Sequence, residues 1–494
     1  MDDIKQRFQE DFEKAHREEL RFDHSQLTPN TKKDRHGIRP YKKGLIIAAS
    51  VFASVIVTLA IPLSFILLRI EDNVKTYQRS YSRIEIAMAE TNTFKKLSEV
   101  SYPDLVNPTQ QKISEQEKTA YEGFANETYH ALLQGQKQQN VSYSIAGLYS
   151  LANELSLASS RPDLTNRLDA LLGLGKSERA TFYKKVVEAN CYARENATTQ
   201  LRNAAFFNDR FPHSDEYVNA LKTFYCESYQ LHLVSDAGKI VEWGNKAMNT
   251  NGFIDEEFLG IDEETELLLF STLYFKNGWA TKYLAQDNEE DVFHCADGKT
   301  PMVTYMHHTY LTQAYYDYGN YVAIEDQYNR GSASVTYLVP KSVSDDIYEL
   351  TKGVNVFFND PNKYVKNPKG NPIAVHLKTP KFVSKAEVDF KAALFALGLD
   401  DMFDRTVDSF KNAILAPEEY KTYVQQVKQR NEVEFNEDGS IVKSVAMARM
   451  GAGGSAGPMT LDSIDIALDQ PFIYIIKDVN GTPIFLGHVD NPNG

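Results

Sequence analysis

Three short patterns hold residues of the kinds that do chemistry. Gly453-Gly-Ser-Ala-Gly457 fits G-x-S-x-G, in which a strained turn between a strand and a helix presents a nucleophilic serine. Ala170-Leu-Leu-Gly-Leu-Gly-Lys-Ser177 fits a permissive phosphate-loop pattern, whose amides converge on phosphates when a strand precedes it and a helix follows. His294-Cys295 and His307-His308 offer metal-ligating side chains. None of the three has the setting its chemistry needs. Pro458 follows the first at once, and AGGSAGP reads as flexible, so Ser455 is not expected to be a nucleophile. LTNRLDALLG reads as a helix running into the glycines, which makes Gly173 and Gly175 cap residues. The histidine pairs lack partners at ligand spacing and no H-E-x-x-H occurs. The chain is expected not to be an enzyme, and no metal or cofactor is implied.

The surrounding composition narrows the classes further. The chain has 494 residues, 42% of them apolar, which suffices for a large core. Its net charge of −14 argues against nucleic acid as a partner. Cys191, Cys226 and Cys295 are too few for a disulfide scaffold or a four-cysteine zinc site, and allow one bridge at most.

Residues 44–68, GLIIAASVFASVIVTLAIPLSFILL, contain no charge. As a helix they would extend about 37 Å, longer than a hydrocarbon core of about 30 Å. The run exceeds the apolar region of a cleavable signal peptide, so an uncleaved anchor is expected. Lys32, Lys33, Arg35, Arg39, Lys42 and Lys43 precede it, and basic flanks stay in the cytosol. The reading is a cytoplasmic tail over 1–43, a single membrane helix over 44–68, a partly helical extracellular stalk over 69–116 and a folded domain over 117–494.

That domain reads as α+β. Tyr121, Phe124, Ala125, Tyr129 and Leu132 share one helical face, a second helix follows through Ile145 to Leu157, and a third ends near Leu172. LLLFSTLYF, from Leu267, is a nearly continuous apolar run of the kind a fully covered strand shows. Further strands are expected near 302–340 and 373–383, and a helix over 387–398. Asn480-Gly481 lies between two strand-like runs, a strong hairpin signal. Without regular βαβ alternation, large antiparallel sheets are expected.

Several blocks in this domain resemble the serpin family. LLLFSTLYFKNGWATKY (267–283) is similar to the family's central-sheet strand ending in its breach tryptophan, here Trp279. NVSYSIAGLYSLANELSLAS (140–159), TPMVTYM (300–306) and TPKFVSKAEVDFKAALFALGLDDMF (379–403) resemble family segments in family order. So do VEFNEDGS (433–440), which resembles the hinge, and QPFIYIIKDVNGTPIFLGHVDNP (470–492), which resembles the terminal hairpin. The resemblance implies a monomeric suicide inhibitor of serine proteases with an exposed reactive loop, here about 437–462. It also implies a hinge at Glu437, Gly439, Ser440, Val442, Ser444 and Ala446, and a shutter at Asn140, Ser144, Ser271 and Gln429. Departures from the family pattern are Gly147 for a serine, Ser271 for an asparagine, Gln429 for a histidine, and the bulkier Val442, Lys443 and Val445 in the hinge. Tyr143, Ser271 and Gln429 are candidates for a hydrogen-bonded cluster.

Alternation within the loop bears on insertion, because successive strand residues face opposite sides. One face carries Ser440, Val442, Ser444, Ala446, Ala448, Met450 and Ala452, all small or apolar, while Lys443 and Arg449 fall on the other. One side can therefore be buried without burying a charge. By family spacing from Glu437 the scissile bond lies between Gly453 and Gly454; counting back from Pro471 gives Met459 or Thr460 instead. Small residues there suit elastase-like or subtilisin-like proteases, whereas bait at Arg449 or Met450 would suit trypsin-like or chymotrypsin-like ones. The expectation is a membrane-anchored inhibitor at the cell surface, of a bacterial type. The alternatives are a non-inhibitory scaffold with this fold and a transmembrane sensor of loop cleavage.

Overall fold

The structure is a computed structural model describing residues 88, 91, 93–134, 140–343, 345–357, 359–365, 372–440 and 462–493. Residues 44–68 and the loop 441–461 lie outside these. Among the described residues no helix is long and apolar enough to cross a membrane.

Three sheets organise the chain. Sheet A runs in the order β1 (Lys95–Ser98), β5 (Cys226–Leu231), β4 (Ala197–Asn208), β6 (Leu267–Gly278), β15 (Gly439–Ser440), β14 (Lys428–Asn436) and β13 (Phe382–Asp389), with β3 (Cys191–Arg194) paired to β4. Sheet B runs β2 (Val141–Ser144), β18 (Pro483–Val489), β17 (Phe472–Asp478), β11 (Ala333–Pro340), β10 (Tyr321–Gln327) and β9 (Tyr315–Asp317). Sheet C runs β16 (Ser463–Ala467), β12 (Ile373–Pro380), β8 (Met302–Thr312) and β7 (Glu289–Val292).

The early helices form where their signals lie. Helix α1 (Glu115–Leu133) opens with a capping box: Ser114 Oγ accepts from Glu117 N–H, and the Glu117 carboxylate accepts from Ser114 N–H. Helix α2 (Ile145–Ala158) starts at the Ser144 cap and is buried on nearly every side, as a helix with so few polar residues must be. Helix α3 (Pro162–Leu172) begins with proline and ends at Gly173, whose φ of 71° is left-handed. Gly175 starts helix α4 (Lys176–Ala189) rather than ending α3. The glycines thus sit between two helices, and the strand that a phosphate loop requires is absent there.

The Asn480-Gly481 hairpin joins β17 to β18, and the Asp478 carboxylate accepts from the Asn480 and Thr482 amides in the turn. Two expectations change. The helix expected over 387–398 is confined to Lys391–Ala396, because β13 extends through Asp389 along β14. The stalk expected over 69–116 does not hold from Phe94 onward, since Phe94 and Tyr102 are buried and Lys95–Ser98 is the edge strand of sheet A. All three cysteines are buried. Among the described residues no group of histidine, cysteine and carboxylate side chains could hold a metal.

Candidate loop-insertion site

The site is a break in sheet A. β4 and β6 share an eleven-pair antiparallel ladder, and β14 and β13 share one of eight pairs. Between these two halves, among the described residues, the only ladder runs through β15. Gly439 and Ser440 face Gly278 and Asn277 on one side and Asn436 and Phe435 on the other. A sheet with a two-residue strand between strands of twelve and nine residues has a place for a longer one.

The strand β6 shows the consequence. The sequence predicts a fully covered strand, but Leu267, Leu269, Leu273 and Phe275 are only half buried. Phe270, Thr272 and Tyr274, on the opposite face, are buried. Its apolar inner face therefore lacks a neighbour on the side of β14, a deficit that an added strand would remove.

The top of the break is held by aromatic packing. Trp279, just past β6, stacks on Tyr328 with centroids 4.8 Å apart and donates its indole N–H to the Asn436 carbonyl at 2.8 Å. Its backbone N–H reaches the Asp438 carbonyl at 3.3 Å. Tyr328 Oη lies 2.7 Å from Ser440 Oγ. Phe435 stacks on Phe382, 4.8 Å away, and closes the floor. Glu437, in the turn between β14 and β15, accepts from Asn288 at 2.6 Å and from Lys381 at 3.1 Å. Burial pushes its carboxyl up, but hydrogen bonds from its own backbone, Asn288 and Lys381 outweigh this and hold it below the ordinary range.

Further down, the expected shutter residues separate. The Gln429 side chain clamps the start of α2: its oxygen accepts from Ser144 N–H at 2.8 Å, and its nitrogen donates to the Ser144 carbonyl at 3.1 Å. Ser144 Oγ accepts from Gly147 N–H at 3.0 Å. Ser271 is brought to the same spot: a side chain at Gly147 would place Cβ 3.1 Å from Ser271 Oγ and 3.2 Å from Ser144 Oγ. Asn140 is used elsewhere, its amide pinning the C-terminal segment through Asp490 N–H and the Asn491 backbone. Tyr143 also departs from the expected cluster, directing its hydroxyl to the Ala125 carbonyl and Thr128 of α1.

Hinge residues Val442, Ser444 and Ala446, and the bait candidates Arg449, Met450, Gly453, Gly454 and Met459, lie outside the described residues, as does Ser455. Of the histidines, His308 is buried, stacked on Tyr283 at 3.9 Å and 3.2 Å from Asp326, while His307 approaches Glu289 at 3.2 Å. Both are used structurally. Tyr328, Phe435, Asn288 and Lys381 were not anticipated as parts of the site. Gly278 carried a usable signal, since a glycine inside a strand pattern marks close approach of another backbone.

Comparison with known proteins supplies the wider setting. The family described as serpin (serine protease inhibitor) matches residues 119–492. Serpin-ZXA of Oryza sativa is 29% identical over 278 residues, covering 53% of this chain and 65% of the relative, so the chain spans slightly under two thirds of that protein's length. Plasminogen activator inhibitor 1 of Mus musculus is 24% identical over 394 residues, 75% of this chain and 91% of the relative. The native-state structure of the thermophilic serpin tengpin superposes with a TM-score of 0.64 at 18% identity, covering 78% of this chain and 97% of that one.

Proposed function

The chain belongs to the serpin family, and we propose that it is a suicide inhibitor of extracellular serine proteases, held at the cell surface by residues 44–68. The observation that carries the reading is β15, two residues long, standing between β6 and β14 with residues 441–461 directly after it. In the β6 register the paired positions sum to 717. Continued, Val442, Ser444, Ala446, Ala448 and Met450 would face Phe275, Leu273, Ser271, Leu269 and Leu267. The half-buried residues of β6 would thereby be covered by the uncharged face of the loop, and Lys443 and Arg449 would point outward.

In the proposed cycle the protease serine attacks the Gly453 carbonyl, the Gly453–Gly454 bond breaks, and the new amine leaves on the C-terminal fragment. The acyl-enzyme ester stays on Gly453 while residues 441–450 enter sheet A. Each added ladder bond is worth about 0.5–1.5 kcal/mol, so the strand supplies on the order of 10 kcal/mol toward deforming the bound protease. Small residues flanking the bond favour elastase-like or subtilisin-like targets. The chargeless run 44–68 behind a basic flank supports the tether.

The test is incubation of the full chain in detergent with elastase, subtilisin and trypsin, followed by denaturing gels and intact-mass analysis. A complex resistant to denaturant, with a released peptide beginning at Gly454, is expected. Complete cleavage with every protease still active, and no gain in Tm, would overturn inhibition. It would favour the scaffold reading toward which bulky Val442 and Val445 point.

A further inference from the structure

Two buried titratable side chains face each other beside the top of the break in sheet A. His308 in β8 and Asp326 in β10 have side chains 3% and 2% exposed, and His308 Nε2 lies 3.2 Å from Asp326 Oδ2. The other ring nitrogen, Nδ1, lies 3.1 Å from the Thr281 carbonyl. A carbonyl only accepts, so Nδ1 is the donor there, and Nε2 is left to face the carboxylate. Two bare acceptors would repel in a dry site, so one of the two carries a proton.

From this pair, contacts run to the described residues at both ends of the loop 441–461. The His308 ring stacks on Tyr283 at 3.9 Å, and Tyr283 packs edge-on against Trp279, 5.6 Å away. Trp279 stacks on Tyr328, whose hydroxyl bonds Ser440. Asp326 stands two residues before Tyr328, and the Gln327 carbonyl between them accepts from Ala280 N–H at 2.9 Å. In the other direction, His308 is paired with Leu377 of β12, and Leu377 with Ile466 of β16, the strand that follows the loop. One buried pair thus joins the sheet B strand that leads to Tyr328 with the sheet C strands that hold the loop's far end.

We infer that His308, with Asp326, is a positioning residue for loop entry: it fixes residues 279–283, and through them the Trp279–Tyr328 stack against which Ser440 is held, relative to β16. The consequence for trapping rests on the proposed inhibition; the positioning itself does not. Imidazole suits the task because its two nitrogens point in different directions, one to the Thr281 carbonyl and one to β10. An apolar side chain could fill the same space and stack on Tyr283, but it could hold neither partner.

The chain holds two tryptophans, so fluorotryptophan labelling of the full, uncleaved protein gives two fluorine resonances. Trp243, packed on Phe206 and Phe270, is the internal control. His308→Phe keeps a ring on Tyr283 but leaves Asp326 unpaired, so it is measured beside the double variant His308→Phe with Asp326→Leu, which buries no charge. In both, the Trp279 resonance is expected to shift and broaden while that of Trp243 stays. The double variant is also expected to lose severalfold in the fraction of protease trapped rather than released active. Asp326→Asn, whose amide can donate to Nε2, is expected to retain the wild-type spectrum. An unmoved Trp279 resonance in the double variant, or an Asp326→Asn spectrum as disturbed as that of His308→Phe, would overturn the positioning role. If the spectra respond as expected while the wild type traps no protease, the positioning stands and the inhibition reading falls.

Discussion

Ser440 Oγ lies 2.7 Å from Tyr328 Oη beneath the top of sheet A, and both side chains are buried. The last described residue before the loop is therefore already directed into the protein, with Gly439 behind it in register between two strands. Arginine at this position would place a guanidinium against Tyr328 and Trp279, where an unpaired charge is costly. We expect Ser440→Arg to be cleaved by the target protease without forming a covalent complex, as read on denaturing gels. Ser440→Ala loses one hydrogen bond, about 1 kcal/mol, and should keep trapping. A stable complex with the arginine variant would mean that insertion does not use this face.

Gly439 is held where no other residue fits. Its φ is 152°, and a Cβ would stand 2.1 Å from the Asn277 carbonyl oxygen and 2.6 Å from Gly278 Cα. Backbone rather than a flexible side chain is in the way. Gly439→Ala should expel β15 from the sheet and lower Tm, with a cost on the order of 2–3 kcal/mol. Proteolysis of the turn at 437–438 should accelerate in parallel. An unchanged melting temperature would show that β15 contributes nothing to the uncleaved state.

How far the sequence discloses this depends on the kind of signal. Helices α1 to α3 and the terminal hairpin carry period, cap and turn chemistry within a few residues, and they fold where those signals lie. The edge strand of sheet A does not announce itself: β1 is Lys-Lys-Leu-Ser, with no apolar alternation, and it is a strand because β5 offers an unpaired edge. Tyr102 is anchored by Asn203 and Tyr225, about a hundred residues away in the chain, which no local pattern encodes. Ser144 and Gln429 were selected by resemblance, but the clamp of a side-chain amide on a backbone is visible only in three dimensions. Asn140, selected the same way, serves the C-terminal segment.

The clamp gives a third prediction. Gln429 satisfies both the N–H and the carbonyl of Ser144 at the junction of β2 and α2. Gln429→Ala would leave two buried backbone groups without their partners. The expected loss is about 1–3 kcal/mol for each group that water cannot reach. Gln429→Glu can both accept and donate while its carboxyl is protonated and loses the donor when it ionises, so it should approach the wild type at low pH and fall toward the alanine variant as pH rises. Urea unfolding of both variants checks the order. Equal midpoints for the alanine variant and wild type would mean that the clamp is replaced by water.

The last prediction concerns pH. Glu154 of α2 is fully buried, and Ser150 Oγ donates to one carboxyl oxygen at 2.8 Å. Burial raises its pKa to about 8, against an ordinary value of 4.5, and hydrogen bonds from Ser150 and Cys226 offset only part of this. A raised carboxyl pKa means the folded state holds the proton that the unfolded state has released. The stabilising contribution is complete below pH 4.5, declines as pH rises from 4.5, and is gone above about 8. Glu154→Gln removes the titration while keeping the shape, so its Tm should be nearly flat over this interval where the wild type falls. Above pH 8 the glutamine variant should be the more stable of the two. Parallel Tm curves for the two proteins between pH 5 and 8 would mean that the carboxylate is ionised in the folded protein and finds a partner.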